Sequence, residues 1–193
     1  MATRTLSNIA LFIEWQNRFQ RRVGHSVAWL ALALVLATSM AVLLRYGADF
    51  SASKLDESLV YLHATLFMLG IAYTYQQNQH VRVDVFYERA SPKRQVWINL
   101  FGALLFVLPT MAFLLWSGLS YVSASWAIKE TSIDASGLAY VYLLKTLILL
   151  MPGLVILQTL AFIAEYCLQL FAPASLPSHC QAAHFADPLQ EGV

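Results

Sequence analysis

Four long apolar stretches, at residues 23–44, 59–75, 96–128 and 138–164, hold almost every hydrophobic residue of this chain and almost none of its charges. The hydrocarbon core of a bilayer, about 30 Å thick, takes about 20 apolar residues in a helix that rises about 1.5 Å per residue. Each stretch meets or approaches that length. Lipid offers no partner to a free backbone N–H or C=O, so only helices or closed barrels cross it, and no stretch shows the alternation of a barrel strand. The predicted fold is therefore an all-α membrane protein with four transmembrane helices. Composition agrees, since only 12% of residues are charged where a soluble domain has about a quarter. A net charge of +1, with the basic residues split between two short segments, argues against a nucleic-acid partner.

Lys and Arg outside the spans set the orientation. One side carries Arg4, Arg18, Arg21, Arg22, Arg82, Arg89, Lys93 and Arg94, and the other Arg45, Lys54 and Lys129. Eight against three predicts that both termini and the middle loop are cytoplasmic. Two outer loops, about 45–58 and 129–137, then face the opposite side.

The domain plan follows: a cytoplasmic leader at 1–22, a four-helix membrane domain at 23–165 and a flexible cytoplasmic tail at 166–193. In the leader, Leu6, Ile9, Ala10 and Ile13 recur at helical spacing among Asn8, Gln16, Asn17, Arg18 and Arg21, which predicts an interfacial amphipathic helix on the inner leaflet. No short apolar region with a cleavage site precedes span one, which reads as a retained anchor. The tail mixes Pro173, Pro177 and Pro188 with Ser, Ala, Gln and His, as unfolded segments do. Cys167 and Cys180 have no metal-ligand spacing, and no disulfide is expected of them. The third stretch, 33 residues long, would measure about 50 Å as a helix. It must tilt, bend or project, with Pro109 as the bend point.

Ionisable groups at membrane depth are the first place to seek function, because hydrocarbon penalises them unless they have partners. Arg45, Asp56, Glu57, His63 and Lys145 share the predicted outer third of the bilayer, and the spacing predicts a network in which Asp56 or Glu57 bridges Arg45 or Lys145. A relay of protons or ions needs such groups through the whole depth, and beyond this set there is only His25, near the inner surface. A haem would need two histidines at one level, yet His25 and His63 fall near opposite faces. No catalytic, substrate-binding, metal or cofactor site is expected. The middle loop holds His80, Arg82 and Asp84, read as a solvated elbow at the headgroups, since two potential ligands make a weak metal site.

Arg45-Tyr46 closes span one, Asp56-Glu57 opens span two, Leu69-Gly70 and Ala72 lie inside it, and His80-Val81-Arg82-Val83-Asp84 follows it. This order resembles the small membrane subunit, Q, of the tripartite ATP-independent periplasmic (TRAP) transporters, over about residues 20–165. Ser125-Trp126-Ala127-Ile128-Lys129-Glu130 and Leu143-Leu144-Lys145 further resemble the branch labelled mannitol or chloroaromatic transport. The resemblance implies a multi-pass protein of the bacterial inner membrane, partnered by a large subunit, M, by a periplasmic substrate-binding protein and by membrane lipids. It implies sodium-coupled uptake of an organic acid, with Q as a scaffold that carries no catalytic residue. The residues themselves agree on one point: neither internal repeats nor paired broken helices appear, as a transporter acting alone would show. Small residues, Gly102, Ala103, Ala112, Gly118 and Ala124, offer close packing to a partner. The alternative is a stand-alone homo-oligomeric four-span transporter or channel, which would call for an acidic residue at mid-span, and Glu57 is at an edge.

Overall fold

The computed structural model describes residues 2–50, 53–78, 87 and 90–172. These form α1 (Ala2–Gly47), α2 (Ser53–Gln76), α3 (Pro92–Gly102), a π-helical stretch (Ala103–Val107), α4 (Leu108–Ile128) and α5 (Val141–Phe171). No strand occurs among the described residues. Four helical rods, α1, α2, Pro92–Ile128 and α5, are long and apolar enough to cross a membrane.

The leader is helical, as its periodicity predicts, but it is not a separate element. It continues into span one as a single 46-residue helix, about 70 Å long, because nothing between Ala2 and Gly47 interrupts it: no proline occurs, and Gly24 is the one internal glycine. Its apolar stripe packs on protein rather than on the leaflet. Ile13 is fully buried against Leu168 of α5, with Leu6, Ile9 and Ala164 around them. The same buried stripe continues through Gln16, Gln20, Gly24 and Val27. At Gly24, α1 meets α2 so closely that a Cβ would run into the ring of Tyr73.

Helix ends are closed by backbone chemistry. Beyond α1, Asp49 turns left-handed at φ 50°, and the Phe50 N–H reaches the Leu44 carbonyl at 3.1 Å. Beyond α4, Lys129 takes φ 50°, ψ 53°, and the N–H groups of Lys129 and Glu130 donate to the carbonyls of Trp126 and Ser125. This is a Schellman closure with lysine where glycine is usual. Pro92 starts α3 at a first-turn position, where its missing N–H costs no hydrogen bond. In the long third span, the π-helical stretch ends two residues before Pro109. The widened turn is a usual accommodation where the regular ladder is broken.

α5 is the central helix. In its most apolar window 33% of residues are buried, against 6–11% in the other spans, and it touches α1, α2, α3, the π stretch and α4. Gly118 and Ala103, expected among the small residues open to a partner, are instead buried within the chain. A Cβ on Gly118 would meet Leu149 and Ile148 of α5 at 3.1 and 3.3 Å.

The bundle has two distinct ends. At one, the start of α1 lies beside the end of α5. There the Gln76 amide, closing α2, donates to the Asn17 carbonyl at 2.7 Å, and Gln158 of α5 donates to Asn17 Oδ1 at 3.0 Å. The link from α2 to α3 belongs to this terminal end. At the other, the α1–α2 and α4–α5 links meet, and this is the loop end. Gln16, expected on the polar side of a surface helix, and Gln20 have no exposed surface, and neither side-chain amide has a hydrogen-bond partner among the described residues.

Candidate functional site

The loop end gathers the charges. Where α1 stops and α2 starts, Arg45 Nη2 donates to Asp56 Oδ2 at 2.7 Å. The side chains are 50% and 42% exposed, so the pair stabilises by only about 0–1 kcal/mol. It closes a hairpin more than it holds a fold.

One residue on, Glu57 reaches across the bundle. Its carboxylate accepts the Leu138 N–H at 2.6 Å and the Ser132 hydroxyl. The Ser132 N–H donates to the Leu138 carbonyl at 3.1 Å, and the Asp134 N–H to Ser132 Oγ at 3.1 Å. Gly137 sits so tightly in this turn that a Cβ would strike Glu57 and Ser132. The α4–α5 link is thus folded around a carboxylate from α2. Hydrogen bonds to a charged acceptor are the stronger kind, and these two make Glu57 a tie between the two hairpins at this end.

The α4–α5 hairpin has its own pair. Lys145, one turn into α5, donates to Glu130 Oε2 at 2.5 Å and lies 4.2 Å from the centroid of the Tyr121 ring. The hydrogen bond from Lys145 holds the Glu130 carboxyl below the usual glutamate range. Lys129, turned out by the left-handed closure of α4, sits over the rings of Trp126 and Tyr142 at 4.9 and 5.1 Å. The Trp126 indole donates to Thr146 Oγ1 at 2.9 Å. Cation, ring and hydroxyl here match the mixed chemistry of a membrane–water interface.

Of the residues singled out from the sequence, Arg45, Asp56, Glu57 and Lys145 all lie at this end. Arg45 pairs with Asp56, one of the combinations expected. Lys145 pairs instead with Glu130, because a residue one turn into α5 faces the end of its own hairpin partner. Glu57 has no cation within ion-pair distance among the described residues and binds the link. His63 stands apart on an exposed face of α2, its ring stacked on Phe67 at 6.1 Å. His80, Arg82 and Asp84 lie outside the described residues, as does Cys180. Glu130, Ser132 and Gly137 were not singled out. The only sequence signal for them is a polar, glycine-bearing link between two apolar runs.

This arrangement ties helix ends together. His25 is at the terminal end, its Nδ1 2.7 Å from the Arg21 carbonyl and its ring edge-on to Tyr73. Tyr73 is ten residues beyond His63 on α2, about 15 Å along the helix. The two histidines are therefore too far apart in depth to ligate one iron. Among the described residues no group of three His, Cys, Asp or Glu side chains is placed to hold a metal ion.

A family model described as tripartite ATP-independent periplasmic transporters, DctQ component, matches residues 16–168. No curated protein and no solved structure gives a match.

Proposed function

The chain belongs to the DctQ component family of the tripartite ATP-independent periplasmic transporters, a small permease subunit of the inner membrane, and we propose that it is a static scaffold for the large transport subunit. In this reading it enlarges the fixed part of the large subunit, and that subunit carries the substrate and sodium sites. The complex takes up an organic acid delivered by a periplasmic binding protein, with the sodium gradient as driving force. Substrate choice then resides in the other two components.

The family match over residues 16–168 carries the reading. The disposition of charge supports it. Arg45, Asp56, Glu57, Glu130 and Lys145 hold hairpins and links together at one end, as suits a part that keeps its shape while a partner moves. The excess of Lys and Arg at the terminal end favours that end in the cytoplasm, so the loop end faces the periplasm and the binding protein.

Gentle purification of the tagged chain from its native host, with mass spectrometry of what accompanies it, tests the proposal. A large multi-pass membrane protein in stoichiometric amount is expected. Liposomes holding both chains, supplied with the binding protein, should take up an organic acid only with sodium outside. Recovery of this chain with itself alone, together with solute transport in liposomes, would overturn the scaffold reading.

A further inference from the structure

The face of α1 opposite its buried stripe has a composition of its own. At 100° per residue, Ile13, Gln16, Gln20, Gly24 and Val27 centre on the protein interior. Trp15, Arg18, Phe19 and Arg22, spaced i, i+3, i+4 and i+7, centre on the far side. Trp15 is 59% exposed, and its ring stacks on Phe19 at 5.7 Å with the planes 6° apart. Arg18 and Arg22 are exposed, and neither has an acidic partner among the described residues.

Depth separates this face from an ordinary solvated one. α2 has 24 residues, about 36 Å of helix, so its ends stand in the headgroup layers on either side of a hydrocarbon core about 30 Å thick. Its last residue, Gln76, bonds to Asn17, which marks that plane on α1. Arg18 is the next residue, and Arg22 is about 6 Å further along. Side chains on a helix lean toward its N-terminus, so both guanidinium groups reach back to the phosphate layer. The stacked rings beside them offer a flat apolar surface within the same headgroup layer.

We propose that Arg18 and Arg22, beside the stacked Trp15 and Phe19 rings, form a binding site on α1 for the headgroup phosphate of an anionic phospholipid. Two planar guanidinium groups one turn apart offer paired N–H donors to phosphate oxygens. A zwitterionic headgroup carries its own cation and gains less. The site does not depend on the transporter reading, because it uses only this chain and the leaflet it meets.

The test is native mass spectrometry of the delipidated full chain in detergent, titrated with dioleoyl phosphatidylglycerol and, separately, dioleoyl phosphatidylcholine. The wild-type chain should retain the anionic lipid preferentially. R18Q/R22Q should bind it about 25-fold more weakly, roughly fivefold per arginine. R18K/R22K should keep most of the preference, and K54Q, the same loss of charge at the loop end, should keep all of it. Equal retention of the two lipids by wild type, an unchanged preference in R18Q/R22Q, or displacement by an equal concentration of glycerol phosphate would overturn the proposal. Should R18Q/R22Q not fold, fluorescence decides. The Trp15 signal, taken as the difference from W15F, should be quenched more by brominated phosphatidylglycerol vesicles than by brominated phosphatidylcholine vesicles, and equal quenching defeats the site.

Discussion

Gly24→Ala should destabilise this bundle, and should stabilise it once Tyr73 is removed. An added Cβ at position 24 lands on the Tyr73 ring, with even the third-nearest ring atom at 2.7 Å, where carbon atoms prefer about 3.5–4.0 Å. The atoms met belong to the base and sides of a rigid ring, itself flanked by His25 at 6.0 Å, so the helices must part. Overpacking of this kind costs about 1–3 kcal/mol. Contact at the ring's base places it near the upper figure. Alanine returns about 1 kcal/mol through helix propensity, which leaves a net loss of about 2 kcal/mol. In a Tyr73→Ala background the collision is gone, the propensity remains, and the same substitution should gain about 1 kcal/mol. The coupling between the two positions is thus about 3 kcal/mol, within the range that touching residues show. Reversible unfolding of the detergent-solubilised chain by sodium dodecyl sulfate, followed by helical circular dichroism, would measure all four corners of the cycle. If Gly24→Ala has the same sign in both backgrounds, the close approach of α1 and α2 at this point is wrong.

Glu57→Ala should lower the midpoint of the same unfolding transition, because it removes the acceptor of the Ser132 hydroxyl and the Leu138 N–H. Co-purification of the large subunit should fall several-fold while sodium dependence of the assembled fraction is unchanged; normal yield with altered sodium dependence would contradict the scaffold role. Gly137→Ala should open the same link, read as faster hydrogen exchange at the Leu138 N–H, because its Cβ would strike Glu57 and Ser132. Lys145 holds the Glu130 carboxyl below its usual range, so this pairing contributes fully above the usual carboxylate pKa and is lost as pH falls through the lowered value. Thermal stability should therefore be level from neutral pH to about pH 5 and decline below it, and Glu130→Gln should shrink that acid limb.

Span number was legible because nothing but a membrane accounts for such long apolar runs with so few charges. What each polar residue touches was much less legible. The Leu6, Ile9 and Ile13 stripe gave the helix but not its destination, since a stripe buried in a leaflet and one buried on α5 have the same period. Gln16 read as part of a wetted face, yet it is fully buried, as is Gln20 one turn on. Asn17, Gln76 and Gln158, from three separate elements, bond together at this end, while the amides of Gln16 and Gln20 have no hydrogen-bond partner among the described residues. Pro109 announced an irregularity, while the π-helical turn ahead of it depends on how the backbone re-closes its ladder. Glu130 went unnoticed as the partner of Lys145 because the pair forms only when the α4–α5 link turns back on itself.

The pairing of charges within hairpins bears on how the chain enters the membrane. With the loop end outside, as proposed above, two links must be carried through hydrocarbon during biogenesis, and unpaired charge makes that passage expensive. Arg45 and Asp56 belong to the first hairpin, Glu130 and Lys145 to the second. Each hairpin can translocate with one cation–anion pair already joined, before the other has left the ribosome. Glu57, like Asp49, Lys54 and Asp134, has no ion-pair partner among the described residues, and the groups it does bond, Ser132 and Leu138, are synthesised much later. Its bonds can close only when the second hairpin docks against the first, which makes the Glu57 clamp the latch that marks completed assembly of the four spans.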